Sequence, residues 1–152
     1  MKALIQRVSR ASVEVGGEAV ASQGIGFLVL LGVRRGDDEE DARLLAEKIA
    51  KLRVFSDDAG KMNRSLSDVG GGVLAVSQFT LCADYTHGNR PSFLDAEEPV
   101  RAKELYEVFV DVLRRCGIPV GCGVFGADMK VSLLNDGPVT IDMESADLRK
   151  GK

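Results

Sequence analysis

Two stretches of the chain carry apolar residues at helical spacing. From about Asp38 to Arg53 the stripe is Ala42, Leu45, Ile49 and Leu52, steps of three and four that line one helix face. Asp37, Asp38, Glu39 and Glu40 stand at its start and Lys48, Lys51 and Arg53 at its end, the polarity that suits a helix dipole. From about Pro99 to Cys116 the positions Leu105, Val108, Phe109 and Val112 repeat the spacing, with Pro99 near the first turn and Gly117 as a stop. Each helix has one face to bury.

The other apolar runs are short, rich in β-branched residues and broken by glycine, which predicts strands over 3–8, 12–15, 27–33, 73–81, 130–135 and 139–143. Val73, Leu74, Ala75 and Val76 are apolar on both alternating faces, the mark of a buried central strand. Gly70, Gly71 and Gly72 read as a flexible approach to it. Strands, two interspersed helices and strands again predict an α/β fold with a mixed sheet and two main helices. A length of 152 residues with 45% apolar content suits a single domain, 1–152.

Composition narrows the chemistry. Cys82, Cys116 and Cys122 include no CxxC pair and are odd in number, so three reduced thiols are expected. The single histidine, His87, supplies neither a multi-histidine zinc cage nor an obvious triad, so no metal and no cofactor is expected. No signal peptide or bilayer-length apolar run is visible, and a soluble cytoplasmic protein without a membrane partner is expected. The net charge of −3 argues against gripping long nucleic acid, DNA included, while leaving contact with a few terminal nucleotides open.

Three clusters carry polar groups where chemistry has room. Ser77, Gln78, Phe79, Thr80 and Leu81 continue the buried strand, and polar groups at such an end are hydrogen-bonded or line a cavity, since leaving one buried and unpaired costs roughly 1 to 3 kcal/mol. A strand merely emerging into a loop reads the same way. Asn135 to Thr140 contains Asn, Asp, Gly and Pro in succession, which specifies a turn, either an ordinary hairpin or a rigid Gly-Pro step that fixes carbonyl directions. In the stretch His87 to Phe93, Arg90 is a candidate for a phosphate contact, Phe93 for an anchor in the core, and His87 reads as a solvated loop residue.

These motifs, with MKALIQRVSRASVEV, GKMNRSLSDV, VSQFTL, GNRPSF and FGADMKVSLLNDGPVTI in that order along nearly the whole chain, resemble the D-aminoacyl-tRNA deacylase family. The resemblance implies a three-layer β/β/α architecture and a homodimer acting on the aminoacyl-tRNA 3′ end. By position it places Ser77, Gln78, Phe79 and Thr80 at the reaction centre. Gly137 and Pro138 form a cis chiral filter that enters the partner subunit's pocket, with Arg7 near the filter and Phe125 and Met129 shaping a pocket for the terminal adenosine. His87 stands where lysine or arginine is common in the family, and Cys122 stands near a position often occupied by threonine.

The implied activity is hydrolysis of D-aminoacyl-tRNA, and of glycyl-tRNA mischarged on tRNA(Ala), as translation proofreading. A rigid wall of backbone atoms rejects L-residues sterically but cannot exclude glycine, which has no side chain. Ester cleavage requires a positioned water and donors for the developing oxyanion, the Phe79 N–H being the expected one. The substrate's ribose 2′-hydroxyl is a candidate for assisting the water, and no base adjacent in sequence activates Thr80 as a nucleophile. An editing module for mischarged L-amino acids and a non-catalytic dimeric binding module remain as alternatives.

Overall fold

The computed structural model describes residues 1–151. Its spine is β1 (Lys2–Val15), a strand long enough to serve two layers. On one side its first half pairs antiparallel with β3 (Gly26–Gly32) and its second half with β2 (Glu18–Gln23). On its other side β8 (Lys130–Glu144) follows it antiparallel nearly end to end. The sheet continues from β3 through parallel β6 (Gly72–Ser77) to parallel β7 (Val120–Cys122). Val73 to Val76 is thus the internal strand that its composition predicts.

Alternation along β6 sends Val73 and Ala75 towards the helices and Leu74 and Val76 the other way, into two separate cores. The larger core joins Ala3, Ile5, Phe27, Val29 and Leu31 to the apolar faces of α1 (Glu39–Lys51) and α3 (Pro99–Arg115). Phe109 and Leu105 are wholly enclosed there, and truncating a buried Phe of this kind costs about 3 to 5 kcal/mol. The smaller core contains Val8, Ala11, Val13, Leu28, Leu74 and Val76, sealed by Met129 and Val131. The second half of β1, with β2 and the start of β8, therefore folds over the back of β3 and β6. The result is the three-layer β/β/α arrangement of a mixed α/β fold.

A one-residue irregularity in β1 makes this possible. Val8 pairs with Asn135 and Arg10 with Leu134, so Ser9 is extra on β1. One extra residue exchanges the two faces of a strand. Before it Ala3 and Ile5 face the helices; after it Ala11 and Val13 face the inner core.

Both long helices begin and end close to their predicted limits. Asp38 caps α1 and forms a capping box with Asp41, the two side chains taking up each other's backbone N–H at 3.2 and 2.9 Å. Pro99 occupies the first turn of α3 behind the Glu98 cap, and Gly117 turns out of it at φ 82°.

Several expectations need correction. The segments 3–8 and 12–15 are one strand, because the polar Ser9–Arg10 break is a bulge rather than a loop. The segments 130–135 and 139–143 are likewise one strand, so Asn135 to Thr140 is not a hairpin turn. The central strand stops at Ser77 instead of Leu81; Phe79–Cys82 coils into a single 3₁₀ turn. Strands β2 and β7 carry too few large apolar residues to be read from pattern. So do the pair β4 (Phe55–Ser56) and β5 (Met62–Arg64) and the short helices α2 (Leu66–Val69) and α4 (Ser145–Lys150). Gly70 is the left-handed cap of α2 at φ 64°, and Gly71 donates to Leu66 O at 2.9 Å, so the triple glycine has a defined shape.

Candidate active site

The last rung of β6 is the Gln78 N–H bond to Leu31 O at 2.8 Å, after which the chain leaves the sheet. A cavity of about 500 Å³ opens there. Ser77, Gln78 and Phe79 form one wall, Val76 and Val131 come from the inner core, and Phe125 and Met129 come from the segment between β7 and β8. Five of the residues singled out from sequence thus share one cavity although 52 positions separate Ser77 from Met129.

Each wall residue has a physical anchor. The Gln78 carboxamide donates to the Thr80 hydroxyl, which fixes the turn; Thr80 itself is exposed and is not part of the cavity lining. Phe79 leaves 57% of its surface open and meets Phe93 edge-on, ring centres 5.1 Å apart. Phe125 leans on Tyr106 at 6.2 Å, and the Tyr106 hydroxyl donates to Ala75 O at 2.8 Å. Burial pushes the Tyr106 phenol far above its usual range, so it acts as a fixed donor. The Met129 sulfur fills the space over Gly123, where a Cβ would lie 2.7 Å from it.

The rest of the lining escapes sequence reading. Ala96 and Glu97 just before α3, Pro99 and Ala102 in its first turn, and Ala127 and Asp128 also line the cavity. Small residues at a helix start have the pattern of ordinary packing, and Glu97 that of a solvated charge, so no local signal marks them. Glu97 and Asp128 bring carboxylates to a lining that is otherwise mainly apolar.

Arg7, Gly137 and Pro138 are together, but elsewhere. Arg7 reaches from β1 to donate to Asp136 O through Nε at 2.9 Å and to Val54 O through Nη1 at 2.6 Å. It thereby ties the exposed 136–138 excursion to the connection between α1 and β4. The Gly137–Pro138 peptide bond is cis, and Gly137 has φ 133°. Neither residue lines the cavity of its own chain.

The third cluster divides. His87 is exposed, its Nδ1 2.9 Å from the Thr86 hydroxyl, and Arg90 is also exposed. Phe93 is half-buried against Phe79 and belongs to neither core, which corrects its expected role as a core anchor. Among the described residues no group of three or more His, Cys, Asp or Glu is placed to hold a metal ion. None of their helices is long and apolar enough to cross a membrane.

The family model described as D-Tyr-tRNA(Tyr) deacylase matches residues 4–144. A D-aminoacyl-tRNA deacylase from Paracoccus denitrificans is 60% identical over 147 residues, covering 97% of this chain and 99% of that protein. One from Thermomicrobium roseum is 58% identical over 151 residues, covering 99% and 98%. A solved structure titled c-Myc DNA Unwinding Element Binding Protein superposes with a TM-score of 0.87 at 43% identity, covering 95% of this chain and 98% of that one.

Proposed function

The chain belongs to the D-Tyr-tRNA deacylase family and is a D-aminoacyl-tRNA deacylase, and from that premise we propose that its cavity is completed by the Gly137–Pro138 step of a second copy. The observation that carries this reading is the division of the candidate residues. Ser77, Gln78 and Phe79 line an open cavity, while Gly137 and Pro138 project, exposed, from a different place on the same chain. Exposed apolar side chains near the strand end support coverage by a second subunit: besides Phe79, Leu94 is 76% and Val100 68% exposed.

In this reading the terminal adenosine occupies the apolar part of the cavity between Phe125 and Met129, and the ester lies across Ser77 to Thr80. Water attacks the carbonyl carbon, and the oxyanion receives the Phe79 N–H, which opens the 3₁₀ turn where a helix's first donors lack internal acceptors. Collapse breaks the bond to the ribose oxygen, which takes the proton, and releases the free amino acid and the tRNA. The ribose 2′-hydroxyl orients the water, and Thr80, held by Gln78, is a positioning group. Carbonyls of Gly137 and Pro138 from the second copy stand where an L side chain would point. Glycine passes that wall, so glycyl-tRNA on tRNA(Ala) is a second substrate.

The test is amino-acid release from D-Tyr-tRNA, L-Tyr-tRNA and glycyl-tRNA(Ala), with sedimentation to measure the assembly. The D and glycyl esters should be cleaved and the L ester spared, by a species of twice the 16.3 kDa chain mass. A D-ester no more labile than in buffer would sink the activity. Equal cleavage of D and L would remove the filter, and a monomer of full activity would remove the second copy.

A further inference from the structure

The 136–138 excursion is tied from outside by Arg7, but its neck is closed from within by another residue. Along β1 two steps lead from Gln6 to Val8; along β8 five lead from their partners Thr140 to Asn135, so β8 carries three residues without a counterpart. Both ends of the excess are bridged by the Asn135 side chain. Its Oδ1 accepts the Val139 N–H at 3.2 Å, and its Nδ2 donates to the Thr140 Oγ1 at 2.9 Å. Val139 is half-buried against the larger core, so the far end of the neck is fixed to the body of the protein.

We infer that Asn135 is a positioning residue for stereochemical selectivity: its carboxamide holds the 136–138 excursion in the one shape in which the Gly137 and Pro138 carbonyls exclude an L side chain. This rests on the reading of Gly137 and Pro138 as the filter. A wall that rejects by steric contact works only while it is stiff, because rejection is lost once the wall yields by about the radius of a methyl group. Within the excursion, Asp136 O is held by Arg7, whereas the stretch through Gly137 and Pro138 is held at its exit by the Val139 N–H and Thr140 bonds that Asn135 makes. Losing both leaves the excursion held by the Arg7 tether at one end and, at its exit, only by the packing of Val139 and the pairing of Thr140 with Gln6.

The role predicts a particular pattern of rescue. Asn135→Ala removes both bonds, and two hydrogen bonds of ordinary net strength correspond to about a tenfold change or more in an equilibrium between held and loosened shapes. Asn135→Asp keeps two acceptors, one for the Val139 N–H and one for the Thr140 hydroxyl, which then turns to donate. Thr140→Val removes one bond and keeps the side-chain shape.

The experiment measures kcat/KM for D-Tyr-tRNA and L-Tyr-tRNA in the wild type and these three variants, with thermal midpoints alongside. The expected result is a D-to-L preference reduced about tenfold in Asn135→Ala, through faster L-ester cleavage, less reduced in Thr140→Val and restored in Asn135→Asp. An unaltered preference in Asn135→Ala or, if that variant does not fold, in Thr140→Val overturns the inference and leaves the function standing. A lower thermal midpoint with D and L cleavage falling together also overturns it, since that is a structural staple only. A wild type that shows no preference overturns the filter and this inference together.

Discussion

At the scale of single residues, the candidate machinery depends on atoms that are backbone or close to it. Gly137 illustrates this. Its φ of 133° is rarely adopted by an L side chain, and a Cβ there would lie 2.9 Å from both the Arg7 Nη2 and the Val139 Cγ2. Gly137→Ala should therefore shift the excursion off its Arg7 tether and, through backbone strain of about 1 to 3 kcal/mol, lower the thermal midpoint. D-ester turnover should fall by about ten- to a hundredfold, the usual consequence of a misplaced positioning group. Turnover at the wild-type level would show that the excursion does not contribute to the site. Ser77 to Thr80 and Gly137–Pro138 were legible in sequence as polar or turn-forming intrusions into apolar runs. Ala96, Glu97, Pro99 and Ala102 were not, because their identities are those of ordinary packing.

At the scale of elements, strands β3 and β6 begin their pairing at two glycines, Gly26 and Gly72. A Cβ on Gly26 would lie 1.9 Å from Gly72 O, and Gly26 has φ 153°. Strands β3 and β6 meet there through backbone alone, at the start of the parallel pairing that ends at Ser77. Gly26→Ala should destabilise the protein by about 3 kcal/mol or more, read as a lowered denaturant midpoint. A change below about 0.5 kcal/mol, typical of a tolerant surface site, would show that the approach can open freely. The two helices were legible nearly to the residue because capping, charge and periodicity agree. The length of β1 and β8 was not, since a bulge and an excursion both resemble strand ends when only local residues are considered.

At the scale of the whole molecule, the C-terminal helix α4 is fastened to the start of α1 by charge. Arg149 bridges Asp41 at 2.9 Å and also Asp38. Burial opposes ionisation of Asp41, yet hydrogen bonds from Arg149, the Asp38 N–H and Ser145 outweigh it and hold the carboxyl well below the usual carboxylate range. A carboxyl whose folded pKa lies below its unfolded one contributes stability above the unfolded value. That contribution is lost as pH falls through the folded one. The thermal midpoint of the wild type should therefore drop on acidification from about pH 4 to pH 2, and more steeply than that of Asp41→Asn, which is already weaker at pH 7. Parallel profiles for the two proteins would show that Asp41 does not set the acid limit.

The sequence by itself determined what depends on near neighbours. Helix faces and caps, the buried character of Val73 to Val76, and the presence of polar groups at its end and at Asn135 to Thr140 all follow from spacings of a few residues. Only the tertiary structure decided what depends on long-range packing. It brought Phe125 and Met129 to the end of β6, used Ser9 to turn one strand into two layers, and kept Asn135 to Thr140 within a single strand. It also put Gly137 and Pro138 away from the cavity of their own chain. Register between distant strands is set by which apolar faces can be buried together, and that competition has no signature within either segment alone.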